Sequence, residues 1–304
     1  MTTSVSICIA TYKRPASLEK LILAIEQLSF VSIATPTIEI VVVDNDPAGS
    51  ARSICENLQQ QIRWQLKYDV ELRSGVTYAR NRTIANIAEH TDFIAIVDDD
   101  EVPNKQWLEQ LLKVQAEYEA DIVTGPVYPC FEDDNTPLWI KEGNFFEPRK
   151  RETGSQLNVA FTNNVLIKTI CLDGIDPVFD HRFATKGSED SHLFMRLYKN
   201  QCKIVWAGDA IVQESISASR TTLKWLVQRN FWGWSSYSLF EKEIFASSKK
   251  IGIRAIKGVG LIGVGLIALP FSLTKGKSAM AKAIIDISRG LGTLSGLVGF
   301  QGQW

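Results

Sequence analysis

The chain has 304 residues, 45% hydrophobic and 22% charged, which is an ordinary globular composition and enough for one large α/β domain with appendages or two small ones. A formal net charge of -1 argues against a general nucleic-acid binder. That near-neutral total conceals a split: from Lys249 onward eight basic residues face the single acid Asp286, a balance of +7 that leaves -8 for the rest. Such asymmetry points to an anionic surface as partner of the tail. Five scattered cysteines form no C-x-x-C pair, so neither a zinc site nor a redox motif is visible and a reducing compartment is the simplest reading. The N-terminus MTTSVSICIATYKRP alternates like a strand and has no basic region followed by a long apolar core, so a cytoplasmic location is expected rather than secretion.

Val5 to Ala10 reads as a first strand running into Thr11-Tyr12-Lys13-Arg14-Pro15, and an amphipathic helix follows from about Ser17 to Leu28. An aromatic in that loop suits stacking on a base, and Lys13 or Arg14 suits phosphates; a solvated connection is the plain alternative. Ile38 to Val43 is a second buried strand, ending in Asp44-Asn45-Asp46-Pro47, before a helix from about Ser50 to Gln61. Lys67 to Leu72 is a weaker strand that leads to Gly75-Val76-Thr77-Tyr78-Ala79-Arg80-Asn81, the opening of a helix through about Ile87. Gly75 permits the tight turn, and Arg80, one helical turn in, falls near the same sheet edge.

Phe93 to Val97 is short, apolar and rich in β-branched residues, as a strand buried on both faces is. It ends in Asp98, Asp99, Asp100 and Glu101. Carboxylates crowded at the carboxyl end of a strand stand where open α/β sheets bind ligands, and their mutual repulsion is relieved by a hard divalent cation such as Mg²⁺ or Mn²⁺. An acidic helix cap is the plain alternative. A helix from about Lys105 to Tyr118 follows, its apolar stripe being core. Strands alternating with helices over the first 120 residues predict a doubly wound, mostly parallel α/β sheet.

Beyond Ile122 to Tyr128, another strand, the segment Pro129 to Ser155 lacks periodicity. Its aromatics Phe131, Trp139, Phe145 and Phe146 suggest an ordered, substrate-facing loop. Thr162-Asn163-Asn164-Val165-Leu166-Ile167 reads as a strand reached through amides, and Phe183 to Tyr198 contains Gly187-Ser188-Glu189-Asp190 and a helix with an acidic first turn. Short strands are expected at Lys203 to Trp206 and Ala210 to Gln213. His90, His181 and His192 are too dispersed for a metal set.

Five of these features stand in the same order as in the family 2 glycosyltransferases of GT-A fold: the strand ending at Thr11-Tyr12, VVVD ending at Asp44, G-x-x-x-A-R-N, D-x-D at Asp98 to Asp100, and G-x-E-D at Gly187 to Asp190. The resemblance covers about residues 4 to 235 and is closest to the transferases of bacterial exopolysaccharides and other cell-surface glycans. It implies that Thr11, Tyr12 and Asp44 hold the base of a nucleotide sugar, a UDP-sugar above all, with Arg14 nearby. Arg80 would approach the nucleotide, Asp98 and Asp99 would lie on the donor side, and Asp100 would hold Mn²⁺ or Mg²⁺. Asp190 is implied to be the catalytic base and Glu189 to orient the acceptor, with Asn163, Asn164 and Trp232 on the acceptor side. One departure concerns Gln228-Arg229-Asn230-Phe231-Trp232, where the processive synthases carry Q-x-x-R-W; phenylalanine at the arginine position favours addition of single sugars.

The reaction asks for such residues by itself. Expelling a nucleoside diphosphate from a sugar carbon builds charge on phosphate oxygens, which a metal offsets. On the opposite face a hydroxyl must lose a proton to a carboxylate. The expectation is therefore an inverting transferase that extends a glycan or lipid-linked acceptor. Its alternatives are a sugar-phosphate nucleotidyltransferase, against which the first loop lacks a glycine-rich phosphate cradle, or a non-catalytic glycan- or nucleotide-binding module.

The expected division is a catalytic domain over 1–235, with a nucleotide-binding half to 120 and an acceptor half from 121, then a helical tail over 236–304. In that tail the uncharged run Gly258 to Thr274 has 17 residues and several glycines, short of the ~20 apolar residues of a spanning helix. Flanking bases, a second apolar segment Gly290 to Phe300 and the upstream Trp225, Trp232 and Trp234 suit helices lying in an anionic membrane interface. A helical pair packed on the catalytic domain, or on a second copy in a homo-oligomer, is the alternative.

Overall fold

A computed structural model describes residues 2–300; residues 301–304, the end of the expected tail, lie outside the described residues. In chain order the elements are β1 (Ser4–Thr11), α1 (Pro15–Glu26), β2 (Thr37–Asp44), α2 (Arg52–Leu58), β3 (Gln65–Val70), α3 (Val76–Ala85), β4 (Phe93–Ile96), β5 (Glu101–Pro103), α4 (Trp107–Tyr118), β6 (Ile122–Thr124) and β7 (Val127–Phe131). They continue with α5 (Leu138–Gly143), β8 (Gln156–Leu157), β9 (Val165–Lys168), α6 (Glu189–Lys199), β10 (Ile204–Trp206), β11 (Val212–Ile216), α7 (Leu223–Phe245), α8 (Ser248–Ser272) and α9 (Lys277–Leu297).

Two compact units divide these elements. One contains the chain up to Tyr128 with Pro148–Thr185 and Glu189–Glu214; the other contains Pro129–Glu147, Lys186–Ser188 and everything from Ser215 on. The first is built on an eight-stranded sheet of order β3-β2-β1-β4-β9-β6-β10-β8. Strands β1 to β4 run parallel, β9 runs antiparallel to both β4 and β6, β10 is parallel to β6, and β8 returns antiparallel. The expected mostly parallel α/β sheet is thus present, with β9 reversed in its middle. Every residue of β2 after Thr37 is buried, because helices cover both faces of a parallel sheet. Leu18, Leu21, Ile22 and Ile25 form the buried stripe of α1. Trp107, Leu108 and Leu111 do the same for α4 on that side of the sheet.

Strand order reverses at β1, which has β2 on one side and β4 on the other. That is a topological switch point, and the crevice it opens lies at the carboxyl ends of β1 and β4. Thr11 and the acids of residues 98–101 stand at those ends. A small second sheet begins beside them, with β11 antiparallel to β5 so that Glu214 pairs with Glu101.

Backbone conformation fixes some boundaries. The helix expected within Phe183 to Tyr198, with its acidic first turn, is α6 and starts at Glu189; Gly187 and Ser188, with φ of 71° and 68°, fix that start, since left-handed residues cannot lie inside a right-handed helix. The region Pro129 to Ser155 is not a bare loop: β7 reaches into it, α5 forms, and Phe131, Trp139, Phe145 and Phe146 pack with Trp225 around buried Ile140, Leu226 and Ile285. Those aromatics form the core of the second unit.

In that unit α7 is capped by Thr222, whose hydroxyl accepts the Trp225 N–H, and runs unbroken through residue 235, where the sequence suggested a division. It ends at Ala246 in the left-handed region, and Ser247 caps α8 at once. The 25 residues of α8 include the whole uncharged run apart from Leu273 and Thr274, extended by a basic amino-terminal stretch. By length and composition it is able to cross a membrane, where the run alone is too short. Glycines set the packing of α9. A Cβ on Gly290 would meet Ile262 and the Gly258 carbonyl of α8, and one on Gly296 the Ser235 carbonyl of α7. Small residues let the three backbones approach closely.

Candidate active site

Asp98 to Glu101 follow β4, and each of the three aspartates is engaged. Arg80 Nη2 donates to Asp98 Oδ1 at 2.6 Å. Thr11 Oγ1 donates to Asp99 Oδ2 at 2.8 Å. A single nitrogen of Arg14, Nη1, donates to both Asp99 Oδ1 at 3.1 Å and Asp100 Oδ2 at 2.8 Å. Burial, joined by the charges of Asp98, Asp99 and Glu214, pushes Asp100 up to about 6 against the pull of Arg14. Glu101, almost wholly buried with its Oε2 accepting the Asp98 N–H, is raised well above the ordinary carboxylate range by burial and by Asp98.

The second acidic motif meets the first through Arg80. The other end of its guanidinium, Nη1, forms a close ion pair with Glu189 Oε1, so one buried arginine joins the end of β4 to the start of α6. Gly75 makes this possible: with φ 135°, it admits Ala184 where a Cβ would stand 2.7 Å from that residue's backbone and side chain. That seats α3 with Arg80 one turn in. Burial works to lower Arg80, but Asp98, Glu189 and Asp190 raise it above the normal arginine value. Burial lifts Glu189 to about 7, with Arg80 opposing and Asp190 adding to the rise. Asp190 is half-buried in the first turn of α6, where its Oδ1 accepts the Ser191 N–H at 2.6 Å. It too is raised by burial, and Arg80 and the Ser191 N–H oppose the rise.

The remaining expected residues divide by availability. Tyr12 is exposed, with the Lys13 ammonium 5.1 Å from its ring centroid. Asp44 is fully buried: Oδ1 accepts the Asp46 N–H, while Oδ2 accepts the Ala51 N–H at 2.8 Å and the Tyr68 hydroxyl at 3.1 Å. It shapes the turn after β2. Asn164 is fully buried as well, donating to the Pro126 and Ala210 carbonyls and accepting from Trp107 Nε1. Both ends of its amide are spent on the framework, a correction to its expected place on the acceptor side; Asn163 beside it is half-buried. Trp232, in the second unit, stacks on Phe300 at 6.0 Å.

Sequence reading missed Asn45 and Glu214. Asn45 donates to the Glu71 and Arg73 carbonyls and accepts the Gly75 N–H, tying β2 to the start of α3. Glu214 comes beside the acids only through its pairing with Glu101, and no local pattern announces it.

Among the described residues no group of three or more His, Cys, Asp and Glu is arranged to hold a metal ion by itself. The acids nevertheless fit a hard cation, which binds through one or two carboxylates and fills its shell with water and substrate phosphates. Asp100, raised by burial and by crowding among like charges, is the carboxylate whose burden a cation would relieve.

The sequence model of Glycosyl transferase family 2 matches residues 6–172. The chain belongs to that family. The glycosyltransferase is 25% identical over 309 residues to the succinoglycan biosynthesis protein ExoM of Rhizobium meliloti (strain 1021), an alignment covering 99% of this chain and 94% of that one. It is 28% identical over 109 residues to glycosyltransferase GlyG of Streptococcus pneumoniae serotype 4, covering 36% of each. Among solved structures, S. aureus TarS 1-349 in complex with UDP superposes with a TM-score of 0.56 at 15% identity, over 95% of this chain and 90% of that one. The same protein with UDP-GlcNAc gives the same score. At that identity the likeness is one of fold, and the fold is GT-A.

Proposed function

We propose that this glycosyltransferase is an inverting, metal-dependent enzyme that moves a sugar from a UDP-sugar to a hydroxyl of a glycan or lipid-linked acceptor. The observation that carries the reading is Arg80, which brings Asp98, behind β4, and the Glu189-Asp190 pair at the head of α6 to one guanidinium. The donor's nucleotide lies against Thr11, Tyr12 and the turn built by Asp44, with Arg14 nearby, Asp98 on its ribose side, Asp99 on the donor side and Arg80 approaching it. Asp100 would hold Mn²⁺ or Mg²⁺, which when bound offsets charge on the departing diphosphate. Asp190 takes the proton of the acceptor hydroxyl as its oxygen bonds to the anomeric carbon. The carbon–oxygen bond to the diphosphate breaks on the opposite face, its electron pair leaving with the phosphate. One displacement inverts that carbon. Glu189, held by Arg80, orients the acceptor, with Asn163 on that side.

The supporting likenesses are the named relatives and the UDP held by TarS. The decisive comparison is Asp190→Asn, which keeps shape and removes the proton acceptor. Transfer is expected to fall by about 10² to 10⁴, while UDP-sugar affinity by calorimetry changes little. Transfer near the wild-type rate overturns the assignment of Asp190. Release of GDP in place of UDP from a donor panel overturns the choice of donor.

The same reading assigns catalysis to residues 1–235 and membrane association, at the cytoplasmic face of the cell membrane, to residues 236–304. Ile253, Ile256, Val259, Val264, Leu266, Ile267 and Phe271 of α8 are all exposed, and α9 covers the Gly258-Gly265 side. Lys249, Lys250 and Lys257 lie in the amino-terminal part of α8, and Lys275 and Lys277 follow its end. An apolar face between basic ends suits an anionic interface.

A further inference from the structure

We propose that Arg14 is an internal counter-cation, seated on Asp100 in the resting enzyme, which a divalent cation must displace; Arg14 thereby sets the enzyme's affinity for that cation. This rests on the reading of Asp100 as the cation's carboxylate. Arg14 Nη1 donates to Asp100 Oδ2 at 2.8 Å, which puts a positive group in contact with the oxygens a cation would take. Two cations cannot both make close contact there without strong repulsion, so one must leave.

The geometry makes departure cheap and directed. Arg14 has five N–H donors, yet both of its bonds to the acids come from Nη1. Its side chain is 53% exposed, so the rest of the guanidinium is already within reach of water. The second bond, to Asp99, is a pivot, because Asp99 is independently anchored by Thr11 and stays in place when Asp100 is given up. Pro15 at the first position of α1 restrains the backbone of Arg14, so the exchange is a side-chain motion. Arg80 cannot do the same, since it is buried between Asp98 and Glu189. Lys13, next in the chain, has its ammonium near the Tyr12 ring and makes no ion pair with the acids among the described residues, so it serves as a control for general charge.

The test is a Mn²⁺ titration of the full-length protein without donor, following free Mn²⁺ by electron paramagnetic resonance, on wild type, Arg14→Gln, Lys13→Gln and Asp100→Asn. Arg14→Gln is expected to bind Mn²⁺ roughly two- to fivefold tighter than wild type, the scale of losing one half-exposed ion pair. Lys13→Gln is expected to match wild type, and Asp100→Asn to lose the site. If Arg14→Gln binds no tighter, or Lys13→Gln tightens binding equally, the counter-cation role is overturned while the metal reading stands. Binding that ignores Asp100→Asn overturns the placement of the cation, and this proposal with it.

Discussion

A single guanidinium, that of Arg80, touches the carboxylate of Asp98, 18 residues on, and that of Glu189, 109 residues on, and its charge sets how the acids at the head of α6 titrate. Burial raises both Glu189 and Asp190, and Arg80 pulls both back. A carboxylate serves as base only when deprotonated, so with Asp190 as the proposed base, raised by burial, activity is expected to fall as pH drops through a value above the usual carboxylate range near ~4. Removing the cation removes the opposing pull. In Arg80→Met the acid limb of kcat/KM is expected to move to higher pH, and in Arg80→Lys, which keeps charge without the fork, to move less. The measurement is a pH–rate profile, with circular dichroism to confirm folding; an unmoved limb in a folded Arg80→Met variant overturns the coupling.

Between helices the relevant unit is the glycine contact. A methyl on Gly296 would run into the Ser235 carbonyl of α7, whereas Gly260 in α8 has open space around it. The same substitution should therefore act with opposite sign at the two sites. Gly296→Ala forces α9 away from α7 and is expected to destabilise by about 1 to 3 kcal/mol. Gly260→Ala removes backbone freedom from the unfolded chain and is expected to stabilise by about 0.5 to 1 kcal/mol. Thermal melts of the two variants against wild type check this; equal shifts would mean that α9 does not pack on α7 as described.

For the whole molecule, the lipid-linked acceptor proposed above would make surface attachment useful, and the charge split supplies a means. Full-length protein is expected to sediment with anionic liposomes at low salt and to be released as salt screens the lysines. A chain ending before Lys249 should stay in the supernatant and lose transfer to lipid-linked acceptor more than donor hydrolysis. Full-length protein that ignores anionic liposomes makes the tail a packing or oligomer element instead.

Much of the first unit is legible along the chain because its signals are local. Apolar runs such as Phe93 to Val97 become buried strands, Asp98 to Glu101 stop one of them, and the order of short motifs marks the family. Sequence also shows the tail's charge and its apolar stretches, since both are sums over neighbouring residues. Tertiary structure alone decides which of those groups remain available. Asp44 and Asn164 spend their polar atoms on buried backbone and side-chain partners, because an unpaired polar group in the interior is costly. Phe131, Phe145 and Phe146 read as a substrate-facing loop but find an apolar core with Trp225. Glu214 joins Glu101 through strand pairing, and Arg80 joins Asp98 to Glu189 across the fold. Such contacts depend on separations that no local period encodes, and only the closed chain brings them within hydrogen-bond reach.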